Sequence, residues 1–296
     1  MTHADDLGPM TEKVILITGA TFGIGKEAAL ALAKMGGTIV IVGRDQARTA
    51  GTVKWLKAES GSHKIDSLLG DLSLLSEATR VATEFKSKYQ RLDVLLNNVG
   101  AIFAQRTLTA EGFEHTYALN HLGPFALTLR LLDLLLTSQP ARIINTSSTA
   151  HRHGHINFDD LQTAQGFNGL KCYGASKLAN ILFTRALARR LKSTKITVNA
   201  LHPGVVGTGF GHNNPGLFRL LASVIKPFLL SPAQGAATSI YLASSPAVAN
   251  TSGAYFVKCR PAKTSKEGED EAVQERLWAI SLEQTKLQPI WRALSL

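Results

Sequence analysis

The stretch Lys13–Leu30, KVILITGATFGIGKEAAL, passes from a β-branched apolar segment through closely spaced glycines into a helical pattern. Its first part reads as a strand, and a helix follows from about Lys26 to Lys34. Gly19, Gly23 and Gly25 fall at the turn between the two. A side chain there would obstruct both the sharp bend and the approach of an anion to the helix N-terminus, where backbone N–H groups point outward. The spacing is GxxxGxG rather than GxGxxG, and a tight turn alone would use glycines too. A preceding strand and a following helix supply the context that a dinucleotide phosphate loop requires.

Outward from this unit the alternation continues: TIVIVGR, a helix, LDVLLNN, a helix, ARIINTSS, a helix, KITVNAL. Strands apolar on both sides suit a parallel sheet covered by helices on both faces, so the expected fold class is α/β, a doubly wound parallel sheet of Rossmann type. No repeat, low-complexity segment or long linker divides the 296 residues, and a single domain is expected over 1–296. Two regions depart from the pattern. Residues 203–233 form a glycine-rich loop followed by an apolar run, read as a substrate-binding loop and lid; 261–296 carry many charges and read as a loop and helix cap, with Leu277, Trp278 and Leu282 docking on the body.

At 45% hydrophobic and 18% charged the composition is globular. No window is apolar for long enough to span a bilayer, and the start MTHADDLGPMTEK lacks the order of a signal peptide, so a cytoplasmic location is expected, with at most peripheral membrane contact. Two cysteines, Cys172 and Cys259, allow neither a disulfide framework nor a CxxC metal site. The net charge of +10 comes from scattered residues without a Lys/Arg block, which argues against a nucleic-acid partner and is compatible with attraction to a phosphorylated cofactor.

The second strand ends in IVGRDQ, where an acidic side chain accepts from free ribose hydroxyls and a basic one neutralises a 2′-phosphate. Arg44 comes first after the strand and Asp45 second, which favours NADP(H), with NAD(H) as the alternative. Asp71 in LLGDLS and Asn97 in LLNNVG end two further strands, where ligands collect in open α/β sheets. In KCYGASKLAN, Tyr173 and Lys177 are four residues apart and share a helix face. An ammonium beside a phenol lowers its pKa from about 10 toward the working range, which makes a general acid/base of it. YxxxK alone is common and is usually an exposed helix pair.

It does not stand alone. With TGATFGIG, NNVG, NHLG, NTSS, YGASK and HPGVVGT in this order, residues 13–259 resemble the short-chain dehydrogenase/reductase family, and HINFDDLQ, YGASKLANILFTRALARRL and YFVKC look like its retinol dehydrogenase branch. The resemblance implies that Tyr173 exchanges a proton with the substrate oxygen while Lys177 lowers its pKa and binds the nicotinamide ribose. Ser148 would hydrogen-bond the substrate carbonyl, with Ser147 its nearest rival, and Asn120 would hold a water in the proton relay. The cofactor would be met by Gly19, Thr21, Gly23, Ile24 and Gly25 at the pyrophosphate and by Asp71, Leu72, Asn97 and Gly100 around the adenosine and ribose. Pro203, Gly204, Val206 and Thr208 would lie at the nicotinamide. His151, Phe210 and Phe218 would join Ser148 and Tyr173 around the substrate.

The implied activity is hydride transfer between NADP(H) and a lipophilic aldehyde, ketone or alcohol, in a homo-oligomer, dimer or tetramer. A catalytically idle cofactor sensor or scaffold is the alternative, opposed by the complete Asn120, Ser148, Tyr173, Lys177 set. A sugar-nucleotide epimerase would need a long charged substrate domain that is missing. HRHGH spaces His151, His153 and His155 for a zinc reading, but Gly154 and the loop position favour the rim of the substrate pocket, and no metal is expected. Cys172 sits next to Tyr173 on the helix and should point away from it, as a packed thiol.

Overall fold

The computed structural model describes residues 7–205, 230–288 and 291. β1 (Val14–Thr18) feeds through the glycine turn into α1 (Gly23–Lys34), which returns the chain to β2 (Thr38–Gly43). α2 (Gln46–Ser60), β3 (Ile65–Leu69) and α3 (Leu75–Lys88) complete the first half. In the second half, β4 (Val94–Asn97) leads to α4 (His115–Tyr117), a π-turn (Ala118–Leu122), α5 (Gly123–Arg130) and α6 (Leu132–Thr137). β5 (Ala141–Thr146), α7 (Gly169–Arg190), β6 (Ile196–His202) and α8 (Pro232–Ser244) follow, then β7 (Tyr255–Val257), β8 (Arg260–Pro261), α9 (Lys266–Glu269) and α10 (Glu271–Thr285).

The strands form one sheet in the order β3-β2-β1-β4-β5-β6-β7-β8, parallel up to β7 and antiparallel at β8. This is the single-domain, doubly wound α/β architecture that the sequence pattern implies. β1 shows why it holds: all five residues are buried, Val14 and Leu16 in a core shared with α3, α5, α7 and α10, Ile15 and Ile17 in the opposite core beneath α1 and α8. Side chains of a strand alternate between faces, so only a strand apolar throughout can seal both layers. The chain reverses direction across the sheet at β1, whose neighbours are β2 and β4, leaving a crevice at the C-terminal strand ends there.

α1 begins at Gly23, three residues before the position that the sequence pattern suggests, because the last glycines of the turn are already helical. α7 starts where Asn168 accepts from the N–H groups of Leu170 and Lys171, both at 3.1 Å. Among the described residues no helix is long and apolar enough to cross a membrane.

Candidate active site

At the switch point the glycine turn is shaped by close approach. Gly19 has φ +65, and a Cβ on it would meet the Val99 Cα at 2.9 Å; a Cβ on Gly25 would meet Asn98 Nδ2 at 2.5 Å and the Gly19 carbonyl at 2.6 Å. Asn98, which the sequence reading passed over, donates to the carbonyls of Thr18 (3.0 Å) and Gly19 (3.1 Å), while the Thr18 hydroxyl accepts from the N–H groups of Asn98 and Val99. The turn is therefore tied to the end of β4 from beneath. α1 has no side-chain N-cap and no acidic residue in its first turn. A helix start with those features and a tight glycine approach fits a dinucleotide pyrophosphate. Thr21 and Ile24 line the same turn, half-buried.

Beyond β2, Arg44 is exposed, whereas the Asp45 carboxylate accepts from the Arg48 N–H at 2.7 Å and caps α2. Of the two candidates for reading the ribose, the acidic one is thus engaged by its own helix. Asp71 accepts from both the N–H and the hydroxyl of Ser73, at 3.0 and 2.8 Å, and Leu72 beside it is buried. Asn97 departs from the expectation. It is 3% exposed and donates to Thr128 Oγ1 and Asn145 Oδ1, both at 2.9 Å, so its side chain braces β4 against β5 and α5 and does not face an adenosine.

The chemical end gathers three elements. Ser147 and Ser148 follow β5, and the structure separates the two registers: Ser147 is buried and donates to the Lys177 carbonyl at 2.7 Å, while Ser148 accepts from the Ala150 N–H at 3.2 Å and shares a side-chain hydrogen bond with Tyr173. Tyr173 and Lys177 project from α7, with the ammonium 5.5 Å from the phenol ring centroid and donating to the Thr146 carbonyl at 3.1 Å. Gly100 borders this ammonium, since a Cβ there would stand 2.8 Å from Lys177 Nζ. Asn120 lies in the π-turn, fully buried, with Oδ1 accepting from the Ala101 N–H and Nδ2 donating to the Ala101 carbonyl and Ser176 Oγ, all at 2.9 Å. Ser176 donates in turn to the Tyr173 carbonyl at 2.7 Å. Asn120 is thereby linked to Tyr173 through Ser176, and Tyr173 to Ser148, while the Lys177 ammonium is held by Thr146.

Electrostatically the pair differs from the expectation. Burial pushes the Tyr173 phenol up, with the Ser148 hydrogen bond pulling the other way, and burial lowers Lys177 from 10.5 to about 8. Desolvation of the charged forms sets both directions, while the ammonium donates to the Thr146 carbonyl. Cys172 points away from Tyr173's partners. Its thiol donates to Glu114 at 3.1 Å and is pushed up to about 12 by burial and that carboxylate, which makes it an unreactive packed thiol.

His151 is corrected: its ring is 0% exposed and cannot form a pocket rim. His155 is exposed and paired with Glu267 at 3.0 Å, so the three histidines diverge. Among the described residues no group of three or more His, Cys, Asp or Glu is arranged to hold a metal ion. Pro203 and Gly204, the latter at φ +92, follow β6, and just beyond them Leu230 N donates to the Val205 carbonyl at 2.9 Å. Val206, Thr208, Phe210 and Phe218, and most of the expected lid, lie outside the described residues. The C-terminal segment packs along α7: Leu277, Trp278 and Leu282 are buried, Arg190 stacks on Trp278 at 4.2 Å, and Glu275 pairs with Arg189 and Arg190. It also reaches the π-turn, where His121 Nε2 and Ser281 Oγ are 2.8 Å apart and the Tyr117 hydroxyl donates to Gln284 at 2.8 Å.

A family model described as short chain dehydrogenase matches residues 13–215. Retinol dehydrogenase 14 of Mus musculus is 42% identical over 289 residues, covering 93% of this chain and 86% of that relative. Retinol dehydrogenase 13 of Homo sapiens is 40% identical over 275 residues, covering 91% and 83%. Among solved structures, an uncharacterised protein from Mycobacterium paratuberculosis superposes with a TM-score of 0.78 at 29% identity, covering 96% of this chain and 97% of that one. The Pseudomonas aeruginosa RhlG/NADP active-site complex superposes with a TM-score of 0.69 at 28% identity, covering 86% and 97%.

Proposed function

The chain belongs to the short-chain dehydrogenase family, and from that premise we propose that it is an NADP(H)-dependent oxidoreductase interconverting a lipophilic aldehyde or ketone with its alcohol, Tyr173 serving as the general acid/base. The observation that carries the reading is the convergence of Ser148, Tyr173 and Lys177 at the end of β5, held from behind by Asn120 and Ser176. The names of the retinol dehydrogenases it resembles support a retinoid-like substrate. A cytoplasmic homodimer or tetramer with at most peripheral membrane contact completes the proposal.

The turn of Gly19, Gly23 and Gly25 would hold the pyrophosphate through backbone N–H groups, and exposed Arg44 would neutralise a ribose phosphate, a preference supported by the engagement of Asp45 in capping α2. When bound, a nicotinamide dinucleotide supplies or takes up the hydride. The protein's part is to hold the carbonyl oxygen between the Ser148 hydroxyl and the Tyr173 phenol, where negative charge develops. A phenol raised by burial stays protonated at neutral pH, the form required to donate a proton to that oxygen. The reading therefore favours reduction at neutral pH and alcohol oxidation as pH rises. Asn120, its side-chain amide bonded to Ala101 and Ser176, would hold a water in the proton relay.

The test is turnover of NADPH and NADH with aldehydes and ketones, all-trans-retinal included, in wild type and Tyr173→Phe, with cofactor binding followed separately. Turnover that disappears in the variant while NADPH binding persists supports the reading. NADPH binding without turnover on the whole panel would favour the idle sensor.

A further inference from the structure

We propose that His151 is a positioning residue that fixes the carbonyl-binding serine, Ser148, through the ring edge bonded to the Ser148 carbonyl, its other edge being held by Ser265 of the C-terminal segment; this rests on the reading of Ser148 given above. The imidazole Nδ1 lies 2.6 Å from the Ser148 carbonyl oxygen. A carbonyl only accepts, so Nδ1 carries the proton and Nε2 is free to accept from the Ser265 N–H at 3.2 Å. Burial, with Arg152 and Arg185 nearby, keeps the ring neutral. A neutral imidazole places one donor and one acceptor on separate edges of a rigid ring, which is what a backbone carbonyl on one side and an N–H on the other require. Tyr255 packs edge-on at 5.0 Å and holds the ring plane.

The Ser148 carbonyl also accepts from the His151 main-chain N–H at 3.1 Å, so the peptide after Ser148 is held twice, while Ser147 is pinned to the Lys177 carbonyl before it. With both flanking groups fixed and its hydroxyl accepting from the Ala150 N–H at 3.2 Å, Ser148 is held beside Tyr173. The far end is anchored as well: Ser265 caps α9 by accepting from the Gly268 N–H at 3.2 Å, and Glu267 accepts from the Ile156 N–H at 2.9 Å.

Two substitutions separate the two edges of the ring. The amide of His151→Asn reaches the Nδ1 position and keeps the bond to Ser148; the amide of His151→Gln reaches the Nε2 position and keeps the bond to Ser265. Each loses one hydrogen bond, so their melting temperatures should fall together. We expect His151→Asn to retain kcat within about 3-fold and His151→Gln to lose roughly 30-fold, with NADPH affinity unchanged in both. Amide exchange at Ser265 reads the bridge without turnover, protected in wild type and His151→Gln and fast in His151→Asn. Ser265→Pro, at φ −67, removes the same N–H with His151 intact; it also loses the Oγ cap on the Gly268 N–H, so only its kcat is compared, and that should stay within about 3-fold as in His151→Asn. Equal kcat in the two His151 variants, kcat losses that follow melting temperature, or unchanged Ser265 exchange in His151→Asn would overturn the proposal alone. Full activity in Tyr173→Phe would remove the reading beneath it as well.

Discussion

Gly100→Ala separates chemistry from folding. The added methyl would stand 2.8 Å from Lys177 Nζ and 3.3 Å from Asn120 Oδ1, and the backbone at this position needs no left-handed conformation. Lys177 is 2% exposed, so its ammonium must retreat by several tenths of an ångström within a packed site. That retreat strains its 3.1 Å bond to the Thr146 carbonyl and changes its bearing on Tyr173. A charge-assisted hydrogen bond contributes about 1.5–3 kcal/mol, and losing it from the transition state corresponds to about a 10- to 100-fold fall in kcat/KM. Stability should hardly move, because the atom displaced is the end of a flexible chain and alanine restricts the unfolded state, a gain of about 0.4–1 kcal/mol. The assay pairs steady-state kinetics with a thermal melt. Unchanged kcat/KM in a folded variant would refute the tight seating of the ammonium, and a large fall in melting temperature would show that the site cannot absorb the methyl as argued.

Lys177→Met should abolish turnover yet raise stability near pH 7 by about 3 kcal/mol, since a lysine lowered from 10.5 to about 8 carries a burial penalty whenever it is charged. Because the folded pKa lies below the unfolded one, the wild type recovers this penalty as pH rises from about 8 to 10.5, and chemical denaturation across that range should show the variant's advantage vanish. Ser147→Ala should cost about 1–2 kcal/mol by removing a buried bond to the Lys177 carbonyl, whereas Ser148→Ala should cost roughly 100-fold or more in kcat beside about 1 kcal/mol for the lost bond from the Ala150 N–H; kinetics and melts on the two variants check this. Arg44→Ala should raise the KM for NADPH by about 10-fold or more and leave NADH nearly unaffected, as cofactor titrations would read.

What was legible in the chain follows from which interactions are local. β1 and β2 are apolar at every core position, and glycines at a strand-to-helix turn have few alternative uses, so the doubly wound sheet could be read directly. β3 is weaker, because it is an edge strand whose Asp66 and Ser67 are half-buried, and only its end at Asp71 was visible. Tyr173 and Lys177 share a helix face by periodicity, but the shift of each pKa depends on burial and on Thr146, Ser148 and Gly100, which come from other elements. Ser147 and Ser148 are chemically alike, and only the course of the chain after β5 decides which faces Tyr173. His151 looked like a pocket histidine because its Ser265 partner is 114 residues away. Asn97 is the last residue of β4 and Asn98 the first beyond it; nothing local tells which supports the glycine turn.

The central claim is that Tyr173 transfers the proton to or from a carbonyl oxygen held by Ser148. The most direct test is kcat for reduction and for alcohol oxidation across pH in wild type beside Tyr173→Phe, under saturating NADP(H). The account predicts reduction maintained through neutral pH, oxidation rising toward alkaline pH, and both lost in the variant while NADPH still binds. Undiminished turnover in Tyr173→Phe would contradict it.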